Sequence, residues 1–392
     1  MKILYQHRTK SADGQYVHIR ELTEALKGLG AEIEMVSPDE AGGAATKKLD
    51  AGDEGGRSLK DRLPKPVYEL AELAYSVPSF LKLRRAYKAQ APDVLYERYN
   101  LLFLAGVWLK KLSGVPMILE VNAPLFAERD ANEGISLKPL ARWSERAAWR
   151  AADYVLPVTG VLADVVREAG VPDEKIVVIP NGAGPEFLAD VDPALIRAKY
   201  GLDGKLVLGF TGFVRPWHGV DRVIRWMAAT GRDDLRLLMV GDGPARRDLE
   251  ALAAKLGIAE RVIFTGVVQR EEVPGHVAAF DIALQPHVVA YASPLKLFEY
   301  MGLGKAVVAP ASPNIMEVLT DGETALLFPP DAPERLSELL DRLCSDAELR
   351  ERLGAAARRW ILESDRTWEG NARTVKRLAE ELVARRASAQ KA

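Results

Sequence analysis

The chain has 392 residues, 48 % hydrophobic and 28 % charged, with 53 Lys and Arg against 55 Asp and Glu for a net charge of −2. The length excludes a single small module, the apolar content excludes a disordered chain, and the charge balance argues against nucleic acid as a partner. The single cysteine, Cys344, excludes an internal disulfide and a multi-Cys zinc site, and the five histidines (7, 18, 218, 276 and 287) lack zinc spacing.

Only three apolar residues separate Met1-Lys2 from Gln6-His7-Arg8, too few for the core of a signal peptide, and the longest apolar stretch, 101–109, is about half a membrane span. The expectation is a cytoplasmic protein that meets a membrane only at its surface. Short apolar runs alternate with helical patterns throughout, the mark of open parallel sheets with crossover helices. Strands are predicted at 2–6, 32–37, 93–96, 117–121, 153–158 and 175–180. Between the first two, His18, Leu22, Ala25, Leu26 and Leu29 share one helical face.

Residues 41–65 lack apolar periodicity and read as a long loop, followed by a helix over 67–88 broken near Pro78. From Arg57 to Lys88, eight basic and three acidic residues leave a net +5, interleaved with Leu70, Leu73, Phe80, Leu81 and Leu83. Two readings stand for 57–88: a surface for an anionic membrane or a lipid-linked ligand, or core residues with a solvated basic face.

A turn cluster, Pro180-Asn-Gly-Ala-Gly-Pro185, ends the first pattern, which restarts with strands at 206–211, 235–240, 262–265, 282–285, 306–309 and 325–328. The resulting division is 1–184, 185–365 and a C-terminal helical segment, 366–392, expected to pack back on the first domain. Each domain is a doubly wound parallel α/β sheet.

Ser293-Pro294 reads as a helix start, with Ser293 as N-cap and Pro294 at the first helical position. The free N–H groups there, with Lys296 one turn in, form an anion site, and Glu299 on an otherwise apolar helix needs a partner such as a ribose. The alternative is a capped core helix whose Glu299 pairs with Lys296. Arg215 and His218 follow the first strand of the second domain, where a diphosphate would lie in an open α/β sheet, unless the loop is simply solvated. Gly14 opens the first helix at the matching place in the first domain. No dinucleotide fingerprint occurs, because Val240-Gly-Asp-Gly-Pro244 is followed by Arg at 246.

Together, Gly14 with His18-Ile-Arg-Glu-Leu22, Ile179-Pro-Asn-Gly182 with Phe187, Val240-Gly-Asp-Gly-Pro244, Phe264-Thr-Gly266 and Pro294-Leu-Lys-Leu-Phe-Glu-Tyr-Met301 resemble the retaining glycosyltransferases of family 4. Arg215-Pro-Trp-His-Gly219, Tyr96-Glu-Arg-Tyr-Asn100 and Glu120-Val-Asn-Ala-Pro124 resemble a subgroup associated with bacterial exopolysaccharide clusters. The resemblance implies the GT-B architecture, two Rossmann-like domains facing across a cleft, with a nucleotide-diphosphate sugar held by the second and a glycan or lipid-linked acceptor by the first. It implies transfer with retention and no metal or other cofactor.

By position, Glu299 matches the second Glu of the family's Glu-x7-Glu motif and is expected to hold the ribose, and Ser293, Pro294 and Leu295 to meet the phosphates. Gly14, Gly212, Gly241, Gly266 and Val267 complete the implied donor site. The motif's first Glu is Tyr291, the family's phosphate-loop Arg and Lys fall on Phe213 and His218, and the Asp after Asn-Gly is Gly184. Phosphate duty then passes to Arg215 and Lys296, with a protonated His218 as a further cation. In the first domain Asn122 and Glu120, or Glu97 beside Arg98, are candidates for orienting the acceptor hydroxyl; the alternative is that Glu120 or Glu97 pairs with Arg98 structurally. A GT-B-fold sugar-nucleotide epimerase and a non-catalytic sugar-nucleotide-binding protein are the competing readings.

Overall fold

The computed structural model describes residues 1–9, 14–37 and 63–391, which form two compact units. Unit 1 comprises Met1–Pro180 and Glu369–Ala392, and unit 2 comprises Asn181–Trp368. Of the predicted loop 41–65, residues 41–62, with the basic residues Arg57, Lys60 and Arg62, lie outside the described residues.

Unit 1 is built on five parallel strands, β1 (Lys2–Gln6), β2 (Glu32–Val36), β3 (Val94–Arg98), β4 (Met117–Val121) and β5 (Tyr154–Pro157), in the order β2-β1-β3-β4-β5. Ile3, Leu4, Val94, Leu95, Met117, Ile118 and Leu119 are all 0 % or 1 % exposed, as expected of strands covered on both faces. The chain extends past β5 at 175–180, yet forms no strand there. Ile176 makes one bridge to Val155, and the Val177 and Ile179 N–H groups donate to Val155 O and Pro157 O at 3.0 Å. Continuing the parallel ladder requires an N–H from residue 157, and Pro157 has none.

The predicted 67–88 helix is two helices, Lys65–Ala74 and Ser76–Gln90, and the break falls at Tyr75. Pro78 does not break it, because it lies in the first turn of the second helix, where a missing N–H costs nothing. Helix Trp368–Lys391 completes unit 1. Asn371 Nδ2 donates to Pro180 O (2.7 Å), Lys376 Nζ to Leu29 O (2.8 Å), and Tyr154 OH to Glu381 (2.9 Å).

Unit 2 has six parallel strands, β6 (Leu206–Thr211), β7 (Leu235–Val240), β8 (Val262–Phe264), β9 (Ile282–Leu284), β10 (Ala306–Pro310) and β11 (Leu326–Phe328). Their order, β11-β10-β9-β6-β7-β8, is the Rossmann order, and the winding reverses between β6 and β9. Gly209 in β6 is required there, since a Cβ would lie 2.1 Å from the Phe280 ring. Among the described residues, no helix is long and apolar enough to cross a membrane.

Candidate active site

The residues singled out in unit 2 converge beyond the carboxyl ends of β6, β7 and β8. Three loops are laced together by Gly212 N–H to Val240 O (2.8 Å), Val214 N–H to Asp242 O (2.9 Å) and Gly241 N–H to Gly266 O (3.0 Å). Gly241 has φ +126°, and a Cβ on it would lie 2.3 Å from Gly212 O. Loop against loop therefore accounts for this glycine. Gly266 and the exposed Val267 follow β8 at the same edge.

Helix Leu295–Gly302 is fastened to β6 by the Tyr300 hydroxyl, which accepts from Thr211 N–H at 2.8 Å. Its start differs from the expectation. Pro294, not Ser293, occupies the N-cap position, and no side chain caps the helix. Ser293 Oγ instead accepts from Asn181 N–H (3.0 Å), while Asn181 Nδ2 donates to Ser293 O (2.5 Å). The first N–H groups, those of Leu295 and Lys296, thus remain uncapped at the positive end of the helix.

Lys296 projects under Gly212, its Nζ 3.8 Å from where a Cβ at 212 would stand and 3.5 Å from the Phe210 ring centroid. Burial pushes its ammonium down to about 7, and attraction to Glu299 offsets only part of this. Glu299 does not pair with Lys296. Its Oε1 accepts from Arg270 Nη1 at 2.5 Å, Arg270 also reaches Glu186 at 3.3 Å, and the guanidinium lies 4.8 Å from the Phe187 ring centroid. Sequence reasoning missed Arg270 and Asn181. The signal for Arg270 was Glu299 itself, a carboxylate on an apolar helix that calls for a cation.

Arg215 is exposed beside Phe213, 5.2 Å from its ring centroid, and carries no ion pair among the described residues. His218 is buried, 4.0 Å from Trp217 and 5.1 Å from Phe210 between ring centroids, and its Nδ1 accepts from Arg215 N–H at 2.9 Å. Burial, then Lys296 and Arg215, push its pKa down to about 3. The expected protonated His218 is therefore a neutral ring, with its proton assigned to Nε2 by the bond at Nδ1.

In unit 1, Gly14 begins helix Gly14–Gly28, and residues 11–13 before it lie outside the described residues. Glu120 pairs with Arg98 and also accepts from Tyr96 OH (2.7 Å) and Asn122 Nδ2 (2.5 Å), with His18 Nδ1 3.5 Å away. Burial works against its charge, but His18, Arg98, Asn122 and Tyr96 hold its pKa below the usual carboxylate value. Of the two readings, structural pairing holds for Glu120, because both its oxygens are engaged. Glu97 does not pair with Arg98. It is buried beneath Gly106, and burial pushes it up to about 8.

Two Rossmann-type units in one chain are the GT-B architecture. Residues 13–182 match the family model of glycosyl transferase 4-like domains, and residues 193–360 match that of group 1 glycosyl transferases. An alpha-D-kanosaminyltransferase of Streptomyces kanamyceticus is 28 % identical over 64 % of this chain and 66 % of its own length. A GDP-mannose-dependent alpha-(1-6)-phosphatidylinositol monomannoside mannosyltransferase of Mycolicibacterium smegmatis is 30 % identical over 66 % of this chain and 69 % of its own. The crystal structure of Anabaena HepE in complex with UDP superposes with a TM-score of 0.72 at 17 % identity, over 97 % of this chain and 100 % of that one. The chain belongs to family 4 of the glycosyltransferases.

Proposed function

We propose that the protein moves a sugar from a nucleotide-diphosphate donor to a hydroxyl of a glycan or lipid-linked acceptor. In this reading transfer proceeds with retention and without a metal, and serves bacterial polysaccharide or glycoconjugate synthesis. The observation that carries it is Lys296, a half-buried amine against the Phe210 ring at the uncapped start of helix Leu295–Gly302, where the winding of the unit 2 sheet reverses. A diphosphate entering there restores the ammonium's charge and meets the free N–H groups, with Arg215 reaching it from the β6 loop. Glu299, oriented by Arg270, receives the ribose hydroxyls. Neutral His218 offers a single Nε2–H donor.

On the acceptor side, Glu120 holds Asn122 through its Nδ2, and in this reading the Asn122 amide oxygen orients the acceptor hydroxyl. The mannosyltransferase relative is GDP-mannose-dependent and the superposed structure holds UDP, which supports a nucleotide donor without selecting its base. Thermal-shift measurements over UDP-, GDP-, ADP- and dTDP-sugars test the reading, since a ligand of the native state raises the melting temperature. One donor class is expected to stabilise the wild type and to lose most of that effect in Arg215→Ala. Full stabilisation and turnover in Arg215→Ala would contradict the assignment.

Helices Lys65–Ala74 and Ser76–Gln90 expose Val67, Leu70, Val77 and Leu81 beside Lys82, Arg85 and Lys88, which supports docking on an anionic membrane and a peripheral location at the inner face. Flotation with anionic vesicles, but not with neutral ones, is the expected result.

A further inference from the structure

Unit 1 holds a cavity that the donor site leaves unused. It measures about 130 Å³ and lies beyond the carboxyl ends of β1 and β2, walled chiefly by Gln6, His7, Arg8, Tyr75, Ser79 and Lys82. Two cations line it, and among the described residues no carboxylate does. Arg8 is half-buried, its guanidinium 4.7 Å from the Tyr75 ring centroid and 5.0 Å from that of Phe103, and among the described residues it makes no hydrogen bond or ion pair. Of the acids near it, Glu72 accepts from Arg129 at 2.6 Å, and burial pushes Glu97 up to about 8.

Gln6 and His7 are 3 % and 8 % exposed, yet Gln6 Oε1 and His7 Nδ1 have no partner. Arg8, with no ion pair among the described residues, shapes the cavity for a negatively charged occupant, while Gln6 Oε1, an acceptor, would take a hydrogen bond from a water or from a hydroxyl of that occupant. The guanidinium fork fits two oxygens of an oxyanion. Lys82 spends one N–H on Ser37 O at 2.5 Å and keeps two to give.

We infer that this cavity binds an oxyanion, a phosphoryl group above all, and that the group belongs to the acceptor. Arg8 also lines a second cavity of about 390 Å³ whose other polar lining includes Glu72, Glu128, Glu133, Asn100 and Asn132, carboxylates and amides that suit the hydroxyls of a ring while the phosphoryl group stays with Arg8 and Lys82. A polyol or sugar carrying a phosphoryl group would occupy both, either as a soluble phosphate or as a lipid headgroup. The assignment to the acceptor rests on the glycosyl-transfer reading; the anion cavity does not.

Hydrogen-exchange mass spectrometry on the full chain tests both parts. Saturating inorganic phosphate is expected to slow exchange in residues 3–9 and 75–83, equally in wild type and in Arg215→Ala, with at least about tenfold weaker affinity in Arg8→Gln and in the surface variant Lys82→Glu. No protection in the wild type, or undiminished protection in both variants, overturns the cavity. Glucose 6-phosphate and phosphatidylglycerol vesicles, with phosphatidylcholine as control, then separate the two sources. Arg8-dependent protection stronger than that given by inorganic phosphate, from either probe, supports an acceptor site, and its absence with both overturns that part. Nucleotide sugars are followed in the same samples at residues 210–218 and 293–299. Silence there alone would sink the glycosyl-transfer reading while leaving the phosphate result standing.

Discussion

Lys296 is half-buried with its ammonium against an aromatic face, which pushes it down to about 7, and an anion favours its charged form. Above pH 7 the free protein must take up a proton to bind a diphosphate. The dissociation constant of a nucleoside diphosphate should therefore rise by up to about tenfold per pH unit above 7, until the pKa of the complex is reached. Calorimetry in buffers of different ionisation enthalpy reads the proton uptake, and a flat affinity between about pH 6.5 and 8.5 would contradict this role. No histidine step is expected there, because His218 is neutral throughout.

The same burial is a stability cost. The folded pKa lies below the unfolded value of about 10.4, so the penalty is complete below pH 7 and relieved as pH rises between the two. Lys296→Met should accordingly gain on the order of 1–3 kcal/mol in urea unfolding at neutral pH while losing donor binding. Glu299→Gln should weaken donor binding about tenfold and leave Arg270 with a neutral acceptor in place of a carboxylate. The positions of Lys296 and Glu299 were legible from their place on a helix opened by Pro294. The charge of His218 was not, since it depends on Trp217, Phe210 and two neighbouring cations closing around the ring.

At the scale of elements, β3 carries Glu97 into the interior under helix Ala105–Ser113, where a Cβ on Gly106 would lie 2.2 Å from the carboxylate oxygen. Its folded pKa of about 8 exceeds the unfolded value of about 4.3, so the native state holds the extra proton between them. Stability contributed by that proton is complete below about pH 4 and declines as pH rises to 8. Glu97→Gln, which mimics the protonated form, should be close to neutral at pH 5 and more stable than wild type at pH 8.5 by about 1 kcal/mol or more in urea titrations; equal loss at both pH values would refute it. Gly354 in helix Ala347–Glu363 is the counterpart in unit 2. A Cβ there would stand 1.9 Å from Gly304 O, and Gly354→Ala should cost about 2–4 kcal/mol.

Most strands were legible because burial on both faces demands unbroken apolar runs. The run at 175–180 has that composition too. It fails as a strand because of a proline in its neighbour, and a hydrogen bond missing from a partner strand leaves no trace in a segment's own pattern.

Over the whole molecule, unit 1 is discontinuous: the chain leaves it at Pro180 and rejoins it at Glu369. The returning helix buries Ala372, Val375, Leu378, Ala379 and Leu382, so it belongs to the core. Deleting residues 369–392 should destabilise unit 1 by several kcal/mol while unit 2 keeps its own transition, measurable by calorimetry as loss of one unfolding step. A full-strength double transition in the truncated chain would show the helix to be dispensable. Two doubly wound halves were legible as alternating patterns and the last helix was expected on the first half, whereas the residues it packs against were not legible, because an amphipathic stripe does not name the face that covers it.

The discontinuity also orders events during synthesis. Unit 2 is uninterrupted, so every strand of its sheet has left the ribosome before the closing helix of unit 1 is made. Nascent unit 1 must wait, its face for Val375 and Leu378 uncovered, for the translation of some two hundred residues, about 10–40 seconds at roughly 5–20 residues per second. The half that starts first finishes last, and through that interval it is the half that most needs a chaperone.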